Sequence, residues 1–208
     1  VPTTGACVMG TNMQQKKTYR LVLISIFTAI IILQNFIPFL GYIYVGPFSL
    51  TLIHITVIII AIALGPVDGA IIGGIWGLIT FVRAFVYPSS PIAPLLFTNP
   101  LISVLPRILI GVVAGYAYLG LRKLKVFDMG AMSLAALFGA MTNTVLVLGL
   151  TYLFYRVPYA NFLNMDVTRV LAYLLGIVMT NGLLEAAAAC VIAPAVAKVL
   201  IQVRSRNH

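Results

Sequence analysis

From Arg20 to Ile201 the chain is a succession of six long apolar runs, separated by short loops rich in proline, glycine and aromatic residues. A helix that crosses a bilayer needs about 20 mostly apolar residues, and each run approaches or exceeds that length. The runs extend from about Arg20 to Phe39, Phe48 to Leu64, Val67 to Val86, Asn99 to Leu121, Gly130 to Tyr155 and Val167 to Ile201. Helices satisfy their own backbone in lipid, and no alternating apolar–polar pattern suggests a barrel. The expected fold is an all-α membrane protein, a six-transmembrane-helix bundle. Composition agrees: only 8% of residues are charged, against about 25% in a soluble domain. The acids Asp68, Asp128, Asp166 and Glu185 are too few for a polar exterior. One membrane domain is expected over residues 16–208. Residues 1–15 read as a leader or vector-derived segment, without the apolar core and cleavage site of a signal peptide.

The net charge of +9 would point to nucleic acid in a soluble protein. Here the basic residues sit at the ends of apolar runs, where topology and anionic lipid account for them, so nucleic-acid binding is not expected. Nine lie on one side: Lys16, Lys17, Arg20, Arg122, Lys123, Lys125, Lys198, Arg204 and Arg206. Three, Arg83, Arg156 and Arg169, lie towards the other. Basic loops stay inside, so both termini are expected in the cytoplasm.

Several chemistries lack their parts. There is no GxxxxGK[ST] phosphate-binding loop, no HExxH and no GxSxG, so the chain is not expected to be an enzyme. Cys7 and Cys190 have no metal-ligand spacing, and neither a metal nor a cofactor is expected. Glu185, about 18 residues into the sixth run, is expected nearer the cytoplasmic side, paired with the basic cluster there. Without a midspan acid or an inverted repeat, a stand-alone secondary carrier or channel is the weaker alternative.

Gly65, Gly69, Gly73 and Gly77 recur every four residues, and Gly111 and Gly115 form a GxxxG. Small residues at this spacing let helices approach closely. Packing inside the bundle and contact with a separate membrane subunit are both compatible with that stripe.

Arg107 lies inside the fourth run, just after Pro106. A charge at that depth faces a cavity, a counter-ion or a ligand; an ion pair with Asp166 or bonds to backbone carbonyls is the alternative. With Arg83, Arg156 and Arg169 it gives the outer half an excess of positive charge. A guanidinium can hold a carboxylate through two parallel hydrogen bonds. Asn99, Asn143, Tyr44, Tyr155 and Tyr173 are candidates for neutral hydrogen bonds and aromatic walls, the tyrosines doubling as interfacial belt residues.

These features, with Ile53-His-Ile-Thr-Val-Ile-Ile, Leu64-Gly-Pro-Val-Asp-Gly-Ala70, the Gly73 to Gly77 run and Asn99-Pro-Leu-Ile-Ser-Val-Leu-Pro-Arg107, resemble the substrate-binding S components of energy-coupling factor (ECF) vitamin transporters, most of all the pantothenate-specific type. The resemblance covers nearly the whole chain from Lys16 onward. It implies a bacterial plasma-membrane protein that binds a small vitamin near the outer face, and as partners a membrane coupling subunit and two ATPase subunits. Pantothenate suits an arginine-rich pocket; pyridoxine, hydroxymethylpyrimidine and riboflavin are the alternatives. Substrate-binding positions are then expected at Arg107, Asn99, Arg83, Asn143, Tyr44, Tyr155, Arg169 and Tyr173. Family members carry an Ala-x-x-x-Ala docking surface on the first helix. The nearest match here is Ser25-Ile-Phe-Thr-Ala29, with serine replacing one alanine, so Ser25 and Ala29 are the expected docking positions.

Overall fold

Because backbone polar groups in lipid must be paired within the protein, the apolar runs fold as helices. A computed structural model describes the backbone of residues 4–45, 48–88 and 90–206, and the side chains of 18–37, 40–41, 51–88 and 90–203. In chain order the elements are α1 (Thr4–Phe36), the one-turn α2 (Pro38–Gly41), β1 (Tyr42–Val45), β2 (Phe48–Thr51), α3 (Ile53–Ala63) and α4 (Pro66–Val86). The short α5 (Ala93–Phe97) and α6 (Pro100–Ser103) follow, then α7 (Leu105–Lys123), α8 (Asp128–Phe162), α9 (Val170–Ile177) and α10 (Leu183–Arg206). Among the described residues five stretches are long and apolar enough to cross a membrane: Thr18–Phe36, Pro66–Val86, Pro100–Lys123, Asp128–Phe162 and Val167–Val203. Ile53–Ala63 is apolar but shorter.

That short helix is the centre of the molecule. Every residue of α3 from Ile53 to Ile62 is buried, which is why its sequence shows no polar face. α1, α4, α7, α8 and α10 pack around it. Ile58 and Ile60 of α3, Ile31, Ile72, Ile110 and a row of alanines on α8 and α10 form one continuous core. Outward, large apolar side chains such as Leu21, Val82, Phe85, Tyr116, Leu153 and Val191 are exposed all round. An apolar surface of that extent suits lipid rather than water.

The glycine stripe is used inside the bundle, where it sets the crossing of α4 on α7. A Cβ at Gly69 would lie 2.5 Å from the Ala61 Cβ and 3.1 Å from the Gly111 Cα; one at Gly77 would lie 2.7 Å from the Val104 Cα. At Gly73 it would overlap the carbonyl oxygen of Arg107, and at Gly111 the backbone of Gly69. Gly65 serves a different purpose. Its φ of +121° makes the reversal from α3 into α4 that other residues rarely adopt. Pro66 then occupies the first helical turn, with Asp68 beside it, where neither the missing N–H nor the negative charge is a burden. Asp68 is buried and accepts from the Nε of Arg20 on α1, at 2.7 Å to Oδ1 and 2.9 Å to Oδ2. The middle of α1 is thereby fixed to the start of α4. On α8 and α10, Ser133 Oγ donates to the Cys190 carbonyl at 3.0 Å and Cys190 Sγ returns a bond to the Ser133 carbonyl.

The structure departs from the sequence reading in several places. The second run does not begin as a helix at Phe48: residues 42–45 and 48–51 pair as an antiparallel hairpin, Tyr42 opposite Thr51 and Val45 opposite Phe48. The aromatic and β-branched residues here favour strand over helix. The first helix begins already at Thr4, so the backbone of 4–15 continues it. The fourth run is split at Val104, between α6 and α7, where Pro100 and Pro106 each sit in the first turn of a new helix and deny the preceding turn a donor. The sixth run is a single turn at Val167–Arg169, then α9, a wide π turn at Val178–Gly182, and α10.

Candidate functional site

The termini of α4 and α7 that carry Asp68, Arg122 and Lys123 lie at one end of the bundle, and the hairpin lies towards the other. Between them and nearer the hairpin, α7 buries Arg107, which is 5% exposed. Its Nη1 donates to the Ile102 carbonyl at 2.6 Å, a group released where Pro106 interrupts the helix. The guanidinium carbon stands 5.1 Å from the centre of the Trp76 ring and 5.0 Å from that of Phe97. Two aromatic faces thus hold the charge in place without neutralising it. Asp166 is exposed and forms no salt bridge among the described residues, so the ion pair expected as an alternative is not formed.

Buried polar atoms with no hydrogen-bond partner among the described residues include Trp76 Nε1 on α4, whose ring faces Arg107, together with Asn143 Oδ1 and Thr151 Oγ1 on α8 and Asn181 Oδ1 in the π turn. Buried polar atoms are paired in the large majority of cases, each unpaired one costing roughly 1–3 kcal/mol. Donors and acceptors left open on facing helices are therefore a surface that a polar ligand would satisfy. The π turn belongs to this group, with Asn181 inside it and Gly182 packed on Thr144; such turns recur at functional positions.

The other expected positions divide. Asn99 caps α6, its Oδ1 accepting from Leu101 N–H at 3.0 Å, and its Nδ2 reaches the Tyr155 hydroxyl at 3.5 Å, so these two are brought together. Arg83 donates from Nη1 to the Asn35 carbonyl on α1 and from Nε to the Tyr87 carbonyl at 3.1 Å. It is thus engaged in joining α4 to α1. Arg169 and Tyr173 are exposed, Tyr173 with its ring 6.3 Å from that of Tyr159, and they stand outside the buried group. The Tyr44 side chain lies outside the described residues; its backbone pairs with Ser49 in the hairpin. Ser25 and Ala29 are exposed on α1, along with Leu21, Val22 and Ile26. Beside that face, at the basic end, an apolar groove runs between α1, α3 and α10, lined by Tyr19, Phe27, Ile60 and Leu200 among others.

Sequence reasoning missed three residues here. Trp76 was not singled out, although a lone tryptophan in a glycine-rich helix was the available signal. His54 is 1% exposed; neither ring nitrogen makes a well-formed hydrogen bond, although the backbones of Thr51 and Glu185 lie beside it. Glu185 is not near the basic cluster. Its Oε1 accepts from Thr51 N–H at 2.7 Å at the hairpin root, within Coulombic reach of Arg107. The sixth run continues to Arg206, past the expected end at Ile201, and Glu185 lies near the midpoint of the run with either end.

The fold and site together define a polytopic helical membrane protein with a polar, cationic interior towards one end. A profile of the family described as the ECF transporter substrate-specific component matches residues 19–197, and the chain belongs to that family. Two curated relatives cover it almost fully. The pantothenate transporter PanT of Leuconostoc mesenteroides is 38% identical over 93% of this chain and 98% of its own. The pantothenic acid transporter PanT of Lactococcus lactis is 34% identical over 94% of this chain and 100% of its own.

Proposed function

We propose that this chain is the pantothenate-binding subunit of an ECF importer, with Arg107 meeting the vitamin's carboxylate. The observation that carries this is the buried guanidinium held between Trp76 and Phe97, in a bundle that also leaves neutral donors and acceptors open on α4, α8 and the π turn. Pantothenate has one carboxylate, an amide and two hydroxyls, which matches that charge and that surplus of hydrogen-bonding groups. The names of both relatives point the same way. Asn143, with Asn99 and Tyr155 at the rim, is assigned to the neutral part of the ligand. Arg83, Arg169, Tyr173 and Tyr44 are assigned to the approach.

In this reading the chain crosses the membrane six times, α3 and the hairpin together making the second crossing. The basic end and both termini face the cytoplasm, as the distribution of lysine and arginine favours. The α1 face with Ser25 and Ala29 docks on a membrane coupling subunit, which works with two ATPase subunits. The family is a transporter component rather than an enzyme, and ATP hydrolysis belongs to those partners.

Calorimetry on the purified protein with pantothenate, pyridoxine, hydroxymethylpyrimidine and riboflavin tests the substrate. Tight binding of pantothenate alone is the expected result; a neutral pyridine vitamin binding at nanomolar strength with no heat from pantothenate overturns it. Uptake into liposomes by this chain without partners would instead make it a stand-alone carrier.

A further inference from the structure

Thr51 closes the hairpin and Glu185 lies at the start of α10, yet the Thr51 N–H donates to Glu185 Oε1 at 2.7 Å. Glu185 is 9% exposed. A carboxylate so far from water is costly unless it is paired or bonded, and here a backbone amide and the charge of Arg107 meet it. His54, in the first turn of α3, is buried beside the backbones of both partners. The hairpin root also closes on itself, Leu52 N–H donating to the Gly41 carbonyl at 2.8 Å. That bond shapes the root, whereas the bond to Glu185 ties it to another helix.

We infer that Glu185 is a positioning residue that latches the hairpin root beside the Arg107 site, so that its bond to Thr51 slows the escape of a bound ligand. The retention step rests on the pantothenate reading above; the latch itself does not. Hydrogen bonds to a charged group are the stronger kind. Losing one exposes the amide and loosens the root by roughly 10-fold to 100-fold in equilibrium terms.

Two variants separate charge from geometry. Glu185→Ala removes the acceptor, and Glu185→Gln keeps an oxygen there without the charge. In the ligand-free protein in nanodiscs, Glu185→Ala should accelerate hydrogen exchange at the Thr51 amide by about 10-fold or more, with the change confined to the hairpin root. In the same variant, bound pantothenate should dissociate about 10-fold faster, with a smaller change in association. Glu185→Gln should fall between Glu185→Ala and the native protein in both measurements, and Asp128→Asn, at an exposed carboxylate, should change neither. Unchanged Thr51 exchange in Glu185→Ala overturns the latch, as does faster exchange spread equally over α3, α8 and α10. Unchanged dissociation alongside a loosened root overturns its role in retention. If the native protein binds no pantothenate, the substrate reading falls, and Thr51 exchange still decides the latch.

Discussion

Gly73 and the Arg107 carbonyl oxygen occupy touching positions, so close that a Cβ at Gly73 would overlap that oxygen. The residue that lets α4 cross α7 therefore also sets where the buried guanidinium sits. Packing and binding share one point of contact, and a change in the first should be read out in the second.

Gly73→Ala should accordingly lower both stability and affinity. Overpacking against backbone costs about 1–3 kcal/mol, and the shift falls on α7 at Arg107. Its neighbour is the control: a Cβ at Gly74 would meet Ile108 at 3.5 Å, an ordinary contact, so Gly74→Ala should stay within about 0.5 kcal/mol. Thermal unfolding in detergent compares the two, and equal effects would refute the geometry.

Arg107→Gln should weaken pantothenate by about 1.5–3 kcal/mol, the range for a hydrogen bond to a charged group. The alcohol analogue, which lacks the carboxylate, should lose much less. Titration of both ligands on the native protein and the variant measures the difference. Equal losses would mean that the arginine only holds the fold.

At the opposite end, Arg20→Gln strands the buried Asp68 carboxylate, whereas the double variant Arg20→Gln with Asp68→Asn does not. The single change should cost about 1–2 kcal/mol, reduced because the arginine is half exposed and screened. The double variant should recover part of that. A double-mutant cycle on unfolding would show no coupling if the pair contributes nothing.

Ala29→Phe should leave pantothenate affinity unaltered while reducing uptake in cells that supply the coupling module. A bulky group on a close-packed docking face costs about 1–3 kcal/mol of association. Normal uptake would move the docking surface away from α1.

Membrane sidedness can be read directly. With Cys7 and Cys190 replaced, a cysteine at exposed Lys125 should label only from the cytoplasm, and one at exposed Asn164 only from outside. The reverse pattern would invert the proposed orientation.

Much of this was legible beforehand because lipid makes a few residue types conspicuous. An arginine inside an apolar run and glycines every fourth residue have few explanations, and both Arg107 and Gly73 were singled out. Glu185 was misplaced because its partner, the Thr51 N–H, belongs to a hairpin far away in sequence, and no local pattern shows which segments meet a mid-run carboxylate. The first hairpin strand was taken for loop and the second for helix because a short aromatic and β-branched run fits several states until its partner strand is known. That Arg83 also joins α4 to α1 through the Asn35 carbonyl was not legible, because it depends on which helices become neighbours, information that no local pattern holds.

The shortness of α3 has a physical consequence for any solute that approaches. Its 11 residues cover about 16 Å of a hydrocarbon layer about 30 Å thick, so in the six-crossing reading proposed above the hairpin would make up the rest of the second crossing. Non-helical backbone persists at such depth only where protein or water surrounds it. In that reading the hairpin is enclosed by protein or by water, and where water reaches it a charged vitamin would approach Arg107 without first shedding its whole hydration shell.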